Sequence, residues 1–497
     1  MKNNLKELTQ YWRLYLLTLV LGVGGTLQYG IQVSIMTSPA EHIQSFVNQT
    51  WLGRYEVPVG ESTNTLLWSF IVSTSSLGGL VGAIHCGSLS VKYGRKTSLQ
   101  INNVVAILAA VMMVLSRMAK SFEMILLGRF LFGYNSGLGI NLHLMYLGES
   151  CPKRMRGFLT LTSSIFLSLG KLLGQVIGIK ELMGTEDMWP YLLAVSGLPA
   201  ILQFLSLLWF PEAPRYLYID KGDEDGCKKA LQWLWQEDEV NLKLELEDMR
   251  QERQSAEGEK AKTMLDVLRS RCVRWQLLAL LIPCSGLQFC GINAIYFYAF
   301  DIFRESGVPD DKMHYLSLGI GATEVITVTT CAFMIDRAGR KRLLGFGYLL
   351  MGVMMSVLIV MLTIKDLYSW MPYLNIALLF SVICVYGLGP SGASMCLSAD
   401  LFLQAWRPSA FAVGGIVNWA GLFLIGMLFP YIVAGMGQFC FLIFVGYCIF
   451  TSAFMLYFIP ETKGKTSMEI TEDFNKLNFK NSGTEPEKGT GMFATKL

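Results

Sequence analysis

The sequence predicts an all-α membrane protein with twelve transmembrane helices in two pseudo-symmetric six-helix halves, joined by a helical linker. Composition, the spacing of apolar runs and a repeated set of charged turns carry that prediction. The 497 residues are 52% hydrophobic and only 16% charged, against about 25% charged in an ordinary soluble protein. Forty-one Lys+Arg nearly balance 38 Asp+Glu. No overall basic field invites a nucleic acid, and the apolar content excludes a disordered chain. Most of the eleven cysteines (Cys86, Cys284, Cys290, Cys331, Cys384, Cys396, Cys440 and Cys448) sit inside apolar runs. There free cysteine behaves as a small hydrophobe, so no redox or metal role is assigned.

A bilayer core about 30 Å thick is crossed by about 20 mostly apolar residues, because hydrocarbon offers backbone groups no partner outside the helix itself. Such runs lie near 13–36, 66–89, 98–116, 123–146, 157–180 and 189–209, then near 275–300, 313–335, 342–364, 372–398, 408–433 and 438–459. These twelve spans divide the chain into a tail (1–12), an N-terminal half (13–209), a linker (210–274), a C-terminal half (275–459) and a second tail (460–497). The linker is too charged for a membrane. Its Leu242, Leu246 and Met249, spaced among Glu, Lys and Arg, predict short amphipathic helices at a membrane surface. The first run is longer than a signal-peptide core and no small-x-small cleavage site follows it, so it is read as span 1.

Basic residues collect in alternate short loops: Lys92, Arg95 and Lys96, then Lys153, Arg154 and Arg156, then Arg337, Arg340, Lys341 and Arg342. The positive-inside rule places these loops in the cytosol. Lys2, Lys6 and Arg13 place the N-terminus there too, and an even number of spans returns the C-terminus to the same side. The single Asn-x-Thr sequon, Asn48-Gln49-Thr50, then falls in the longest external loop, where a glycan can be attached.

The two halves share motifs at corresponding places. Gly94-Arg95-Lys96 follows span 2, and Gly339-Arg340-Lys341, preceded by Asp336-Arg337, follows span 8. Glu149 stands seven residues before Arg156, as Asp400 does before Arg407. Pro211-Glu212-Ala-Pro-Arg215 and Pro460-Glu461-Thr-Lys463 follow the last span of each half. Glycine permits a tight reversal, and the cations can bond helix-end carbonyls or acids on neighbouring helices.

In order and spacing these motifs resemble the sugar porters of the major facilitator superfamily. Gly128-Arg129 with Gly133, and the span-7 string Gly291-Ile-Asn293-Ala-Ile-Tyr296-Phe-Tyr298, extend the resemblance to the facilitative hexose transporters, over residues 13–470. It implies the major facilitator fold, a plasma-membrane location, a small-molecule hexose as substrate, alternating access, and no cofactor or metal. It also implies cytosolic ion pairs among Arg95, Glu149, Arg156 and Glu212, and among Asp336, Arg340, Asp400, Arg407 and Glu461, with Lys96, Arg215 and Lys341 in the same corners. These would close the inner side when the outer side is open. Exposed pairs contribute only ~0–1 kcal/mol each, which suits a latch that opens thermally. Val91 replaces the family's usual acid, which weakens the expected N-half latch.

Transporters of this design hold substrate near the midplane, so polar residues within spans are the candidates. They are Gln28, Tyr29 and Gln32 in span 1, Ser164 in span 5, Gln288, Asn293 and Tyr298 in span 7, Glu324 in span 8, Tyr386 and Ser391 in span 10, and Asn418 and Trp419 in span 11. Amides both donate and accept, and aromatic faces cover sugar C–H surface. The competing reading of each is an interhelical hydrogen bond. By resemblance Gln288, Asn293, Asn418 and Trp419 stand at hexose-contacting positions. Met395 replaces the tryptophan of glucose-preferring members, Ser164 and Leu287 replace glutamines, and Asn293-Ala294-Ile295 looks like the second, fructose- and urate-handling class.

A carboxylate inside a span costs ~2.5–3.5 kcal/mol on insertion scales unless paired or protonated. Glu324 therefore either faces the cavity or pairs with a base, for which Lys171 in span 5 is a candidate. Arg129 is expected to link to a neighbouring charge cluster. Proton-coupled sugar porters carry aspartate where Gln32 stands, and an amide does not take up and release that proton. The sequence thus points to a uniporter. The alternatives are a urate or organic-anion carrier, a proton-coupled porter, and a transporter-like sugar sensor, against which the short C-terminal segment weighs. An enzyme is least favoured: no nucleophile, base and orienter stand together, and His42, His85, His143 and His314 are scattered.

Overall fold

The structure is a computed structural model that describes residues 10–236, 242–243, 245–247, 249–250, 263–297, 303–304, 308–309, 312–364, 367–368, 370–402, 406–463, 465 and 467–478. Among the described residues, helix occupies each of the twelve predicted runs. In the N-terminal half these are α1 (Trp12–Ser34), α3 (Glu61–Tyr93), α4 (Arg95–Met118), α5 (Phe122–Ser150), α6 (Lys153–Ile177) and α7 (Trp189–Leu207), with α2 (Ala40–Tyr55) between the first two. The linker contains α8 (Glu224–Trp235) and α9 (Met264–Arg269). The C-terminal half holds α10 (Arg274–Phe289), α11 (Ile292–Phe297), α12 (Met313–Ala338), α13 (Arg340–Thr363), α14 (Met371–Tyr386), α15 (Gly392–Asp400), α16 (Arg407–Met436) and α17 (Phe441–Phe458), and α18 (Ser467–Asn478) follows.

Nine stretches among the described residues are long and apolar enough to cross a membrane, and the last, Ser409–Phe458, contains both α16 and α17. α5 and α6 complete the twelve but are less apolar, because they turn polar groups inward: α5 buries Arg129, Asn135, Ser136 and His143, and α6 buries Ser168, Lys171 and Gln175. Three spans are interrupted where polar residues stand. α1 passes through a π-helical turn at Gly22–Thr26, and a second such turn at Gly387–Ser391 separates α14 from α15. Span 7 breaks at Gly291, whose φ of +86° is open to glycine at little cost, so that α10 ends and α11 restarts just before Asn293.

The repeated motifs meet in space: the expected Arg95–Glu149 pair forms, while Glu212 and Glu461 bind backbone N–H groups. Gly94 and Gly339 have φ of +90° and +89° and turn the chain into α4 and α13. A Cβ at either position would collide with a carboxylate, that of Glu212 at Gly94 and that of Glu461 at Gly339. Glu212 Oε1 accepts the backbone N–H groups of Arg95 (2.8 Å) and Lys96 (2.9 Å), and Glu461 Oε1 those of Arg340 (3.1 Å) and Lys341 (3.5 Å). Each acid thus caps the positive start of a helix from another segment. Glu212 is therefore a cap rather than the side-chain partner of Arg95; that role falls to Glu149 (2.7 Å) and to Asp220 (2.9 Å).

The linker packs on protein more than the predicted surface helices implied. Leu242 and Met249 are buried with Cys227, Leu231 and Leu234. Trp235 donates to the Ser150 carbonyl (2.8 Å), Arg13 donates to the Trp233 carbonyl (3.0 Å), and Arg215 pairs with Glu245 (3.0 Å). This defines a linker face of the bundle, opposite the face that carries α2. The halves meet along α3 with α16 and α6 with α12.

Gly94→Ala adds a strained backbone and a clash with Glu212, for an expected cost of roughly 1–3 kcal/mol, whereas Gly87→Ala, in α3 with open space around it, is neutral or stabilising. Melting of the detergent-solubilised protein separates the two; equal melting temperatures would count against the cap.

Candidate substrate site

Three polar links join the halves among the described residues, and none lies toward the linker face. Arg304 pairs with Glu41 (3.2 Å) and Tyr315 donates to Glu181 (3.2 Å) at the α2 face. Deeper in, Lys171 Nζ of α6 contacts Glu324 Oε1 and Oε2 of α12 at 2.8 and 3.1 Å. Gly321, one turn before Glu324, packs so tightly on Leu172 and Gln175 that a Cβ has no room. The α2 face is closed.

Between the halves lies a cavity of about 10 Å³ lined by Tyr29, Gln32, Ser75, Ser136, Trp419 and Leu422. That volume holds about one water, so a larger solute enters only when the walls part. Tyr29 of α1 and Trp419 of α16 meet edge-on at 5.2 Å across the half boundary. Beside this wall runs an amide chain: Asn293 Nδ2 donates to Gln288 Oε1 (2.6 Å), and Gln288 Nε2 donates to Asn418 Oδ1 (2.5 Å). Spans 7 and 11 are joined by the amides that the sequence singles out. A larger cavity, about 430 Å³, opens at the linker face between Arg337, Lys341, Arg342 and Lys463, away from this group.

Gln32 is held from both sides. Its Nε2 donates to Ser196 Oγ (2.9 Å) and its Oε1 accepts from Arg129 Nη1 (2.9 Å). Arg129, fully buried, donates also to the carbonyls of Gln32, Ile71 and Val72 and to Ser75 Oγ. It bonds neutral oxygens rather than the charge cluster expected for it. Glu324 also accepts a hydrogen bond from Tyr296 of α11, so its carboxylate is occupied by Lys171 and Tyr296. Tyr386 lies with its ring 5.9 Å from Lys171 Nζ, and Ser391 ends the π-helical turn that follows it. Gln28 is buried with both amide atoms unpartnered, and Ser164 is buried on α6. Asn48 is exposed on α2.

Tyr298 lies outside the described residues, as do the side chains of Arg156, Asp336, Asp400 and Arg407. At the linker face Lys96 Nζ reaches the Leu208 carbonyl at 3.5 Å. Sequence reasoning passed over Ser75, Ser136, Tyr296 and Asp220. Tyr296 was legible, since it follows Asn293 by three positions and so shares its helix face. Asp220 was not, since only the fold brings it to Arg95.

The description "Sugar (and other) transporter" belongs to the family that matches residues 17–474. The chain belongs to the sugar transporter family. A human family member, solute carrier family 2, facilitated glucose transporter member 11, is 41% identical over 468 residues, 94% of each chain. Facilitated glucose transporter member 5 of Homo sapiens is 40% identical over 475 residues, 96% of this chain and 94% of the other. Among solved structures, the proton:xylose symporter XylE bound to 6-bromo-6-deoxy-D-glucose superposes with a TM-score of 0.78 at 21% identity, covering 94% of this chain and 99% of that one. An inward-open form of XylE from E. coli gives 0.73 at 20% identity, covering 92% and 99%. These likenesses make the fold that of the major facilitator superfamily.

Two outcomes follow for this transporter. Gln288→Ala and Asn418→Ala together should cost less than their sum by about 0.6 kcal/mol, the scale of an interhelical hydrogen bond in membranes; strictly additive losses in a denaturation series would reject the bond. At the linker face, Glu149 lies beyond the span that ends near 146 and is pushed up to about 7 by burial, against the pull of Arg95, with Asp220 and Glu212 adding to the rise. A folded carboxyl that keeps its proton above the unfolded value of 4.5 contributes stability below 4.5 that is lost as pH rises through about 7. The melting temperature should fall across that window, and Glu149→Gln should flatten the fall; parallel curves would contradict the shift.

Proposed function

We propose that this chain is a facilitative uniporter of hexoses, fructose and/or glucose, working by alternating access in the plasma membrane with both termini cytosolic. The halves 13–209 and 275–459 are the moving bodies, and the linker face, which carries the basic loops, is the cytosolic one. The α2 face, with Asn48 as its glycan acceptor, is then external, and the closed arrangement described above is the one shut to the outside. The observation that carries the reading is the Asn293–Gln288–Asn418 amide chain beside the Tyr29–Trp419 pair. Amides that can exchange these bonds for bonds to hydroxyls, next to aromatic surface, match the alternating hydroxyl and C–H faces of a hexose. The names of the human relatives, facilitated glucose transporters, support the same substrate class.

Uniport rather than proton coupling is supported by Gln32, an amide locked between Arg129 and Ser196. Glu324 could have supplied a proton site, but its charge is balanced by Lys171 at 2.8 Å.

One observation favours a second reading. With Lys171 and Glu324 neutralising each other, Arg129 is left without a carboxylate partner among the described residues, and two of its acceptors, Gln32 and Ser75, line the central cavity. A positive potential there suits an anion such as urate.

Purified protein in liposomes, given labelled fructose, glucose and urate with and without a pH gradient, separates these readings. Hexose entry to equilibrium, unaffected by the gradient, is expected. Urate entry alone would replace the first reading with the second, uptake driven by inward protons would overturn uniport, and movement of none of the three would end the transport reading. Gln32→Asp, by placing a carboxylate beside Arg129, should make hexose uptake pH-dependent.

A further inference from the structure

We propose that Lys171 and Glu324 form the closing strut of the α2 face, a charged bolt between the halves that must come apart in every cycle to admit substrate from that side. The inference rests on the alternating-access reading, and it gives Lys171 a role that the substrate-site reading leaves unassigned.

Location is the first argument. The pair joins α6 of one half to α12 of the other, and its side chains are 5% and 1% exposed. Lys171 lies about 27 Å along α6 from its linker-face end, and Glu324 about 16 Å along α12 from its α2-face end, at 1.5 Å per residue. The bolt thus sits between the membrane centre and the α2 face, on the route from that face to the central cavity.

The second argument is saturation. Glu324 receives Lys171 on both oxygens and the Tyr296 hydroxyl as well. The Lys171 ammonium lies 4.3 Å from the Tyr296 ring and 5.9 Å from the Tyr386 ring. One residue of the N-terminal half is therefore gripped by three elements of the C-terminal half, α11, α12 and α14. A carboxylate so fully occupied is not free to bind sugar in this arrangement.

The third argument is the contrast with the other links. Arg304–Glu41 and Tyr315–Glu181 are solvent-exposed and worth little. For a buried pair, loss of one partner strands the other charge in low dielectric, whereas loss of both is close to neutral. Neutralising either residue alone therefore penalises the closed arrangement and populates the one open to the α2 face.

Ser73 on α3 reports the opening. It is buried against Gly426 of α16 across the half boundary, so a thiol there is shielded when the α2 face is shut. With Ser73→Cys in the full chain, the rate of labelling by a membrane-impermeant thiol reagent at the α2 face is compared with that of the chain lacking it. The backgrounds are the native pair, Lys171→Met, Glu324→Gln, both together, and the exchange Lys171→Glu with Glu324→Lys. Each single change is expected to raise the rate by about tenfold, and the double neutral and exchanged forms to return to within about threefold of native.

Native-like labelling in the single variants, or fast labelling that persists in the double and exchanged forms, overturns the strut. If the single variants do not reach the membrane, the exchanged form decides: native-like labelling supports the bolt and fast labelling refutes it. Labelling needs no transport, so a chain that moves no hexose can still show the strut, and a hexose carrier can still lack it.

Discussion

Hydrocarbon supplies no hydrogen-bond partners, and the rest of this molecule depends on that constraint. It makes each span a helix, and it requires every charge inside a span to find its counterpart in protein. Among the described residues, the three charged side chains buried within the spans meet it differently. Arg129 spreads its donors over carbonyls and neutral side-chain oxygens; Lys171 and Glu324 satisfy each other. Because the second solution crosses the boundary between the halves, local electrostatics and large-scale motion become one problem. Partners that solvent would otherwise replace at no cost are here replaced only by rearrangement.

The fold was legible in the sequence because its determinants are local or repeated. Run length placed all twelve spans, and the recurrence of Gly-Arg-Lys with Pro-Glu marked two equivalent halves. What was not legible was which groups meet. Glu212 reads as an acid near a basic cluster, and ion pairing is the natural expectation. Its capping role depends on Gly94 turning the chain so that the first N–H groups of α4 point at a segment more than a hundred residues later. Asp220, at the end of a π-helical turn over Tyr216–Asp220, reaches Arg95 from more than a hundred residues along the chain. The site followed the same rule: residue types with the right chemistry, Gln288, Asn293, Asn418 and Trp419, were identifiable one by one. Their grouping into a bonded chain beside an aromatic pair is a property of the packed helices.

The centre of the molecule is polar yet almost without space. Amide bonded to amide and ring against ring use up the groups that a solute would engage, leaving a void of about one water. A ligand entering here exchanges internal hydrogen bonds for its own rather than filling a preformed hole, so its affinity is a difference between two sets of bonds. Small changes in either set shift that difference.

The paired corners at Gly94–Glu212 and Gly339–Glu461 also bear on inherited variation. Both are far from the central cavity and lock the start of a helix to the segment that leaves the last span of the same half. Damage there acts during assembly, before any solute is met. Substitutions at these corners should lower the amount of protein that escapes quality control and reaches its membrane, leaving the turnover of each surviving copy unchanged. A cell carrying such a variant would resemble one with a reduced gene dose rather than one with a slower carrier.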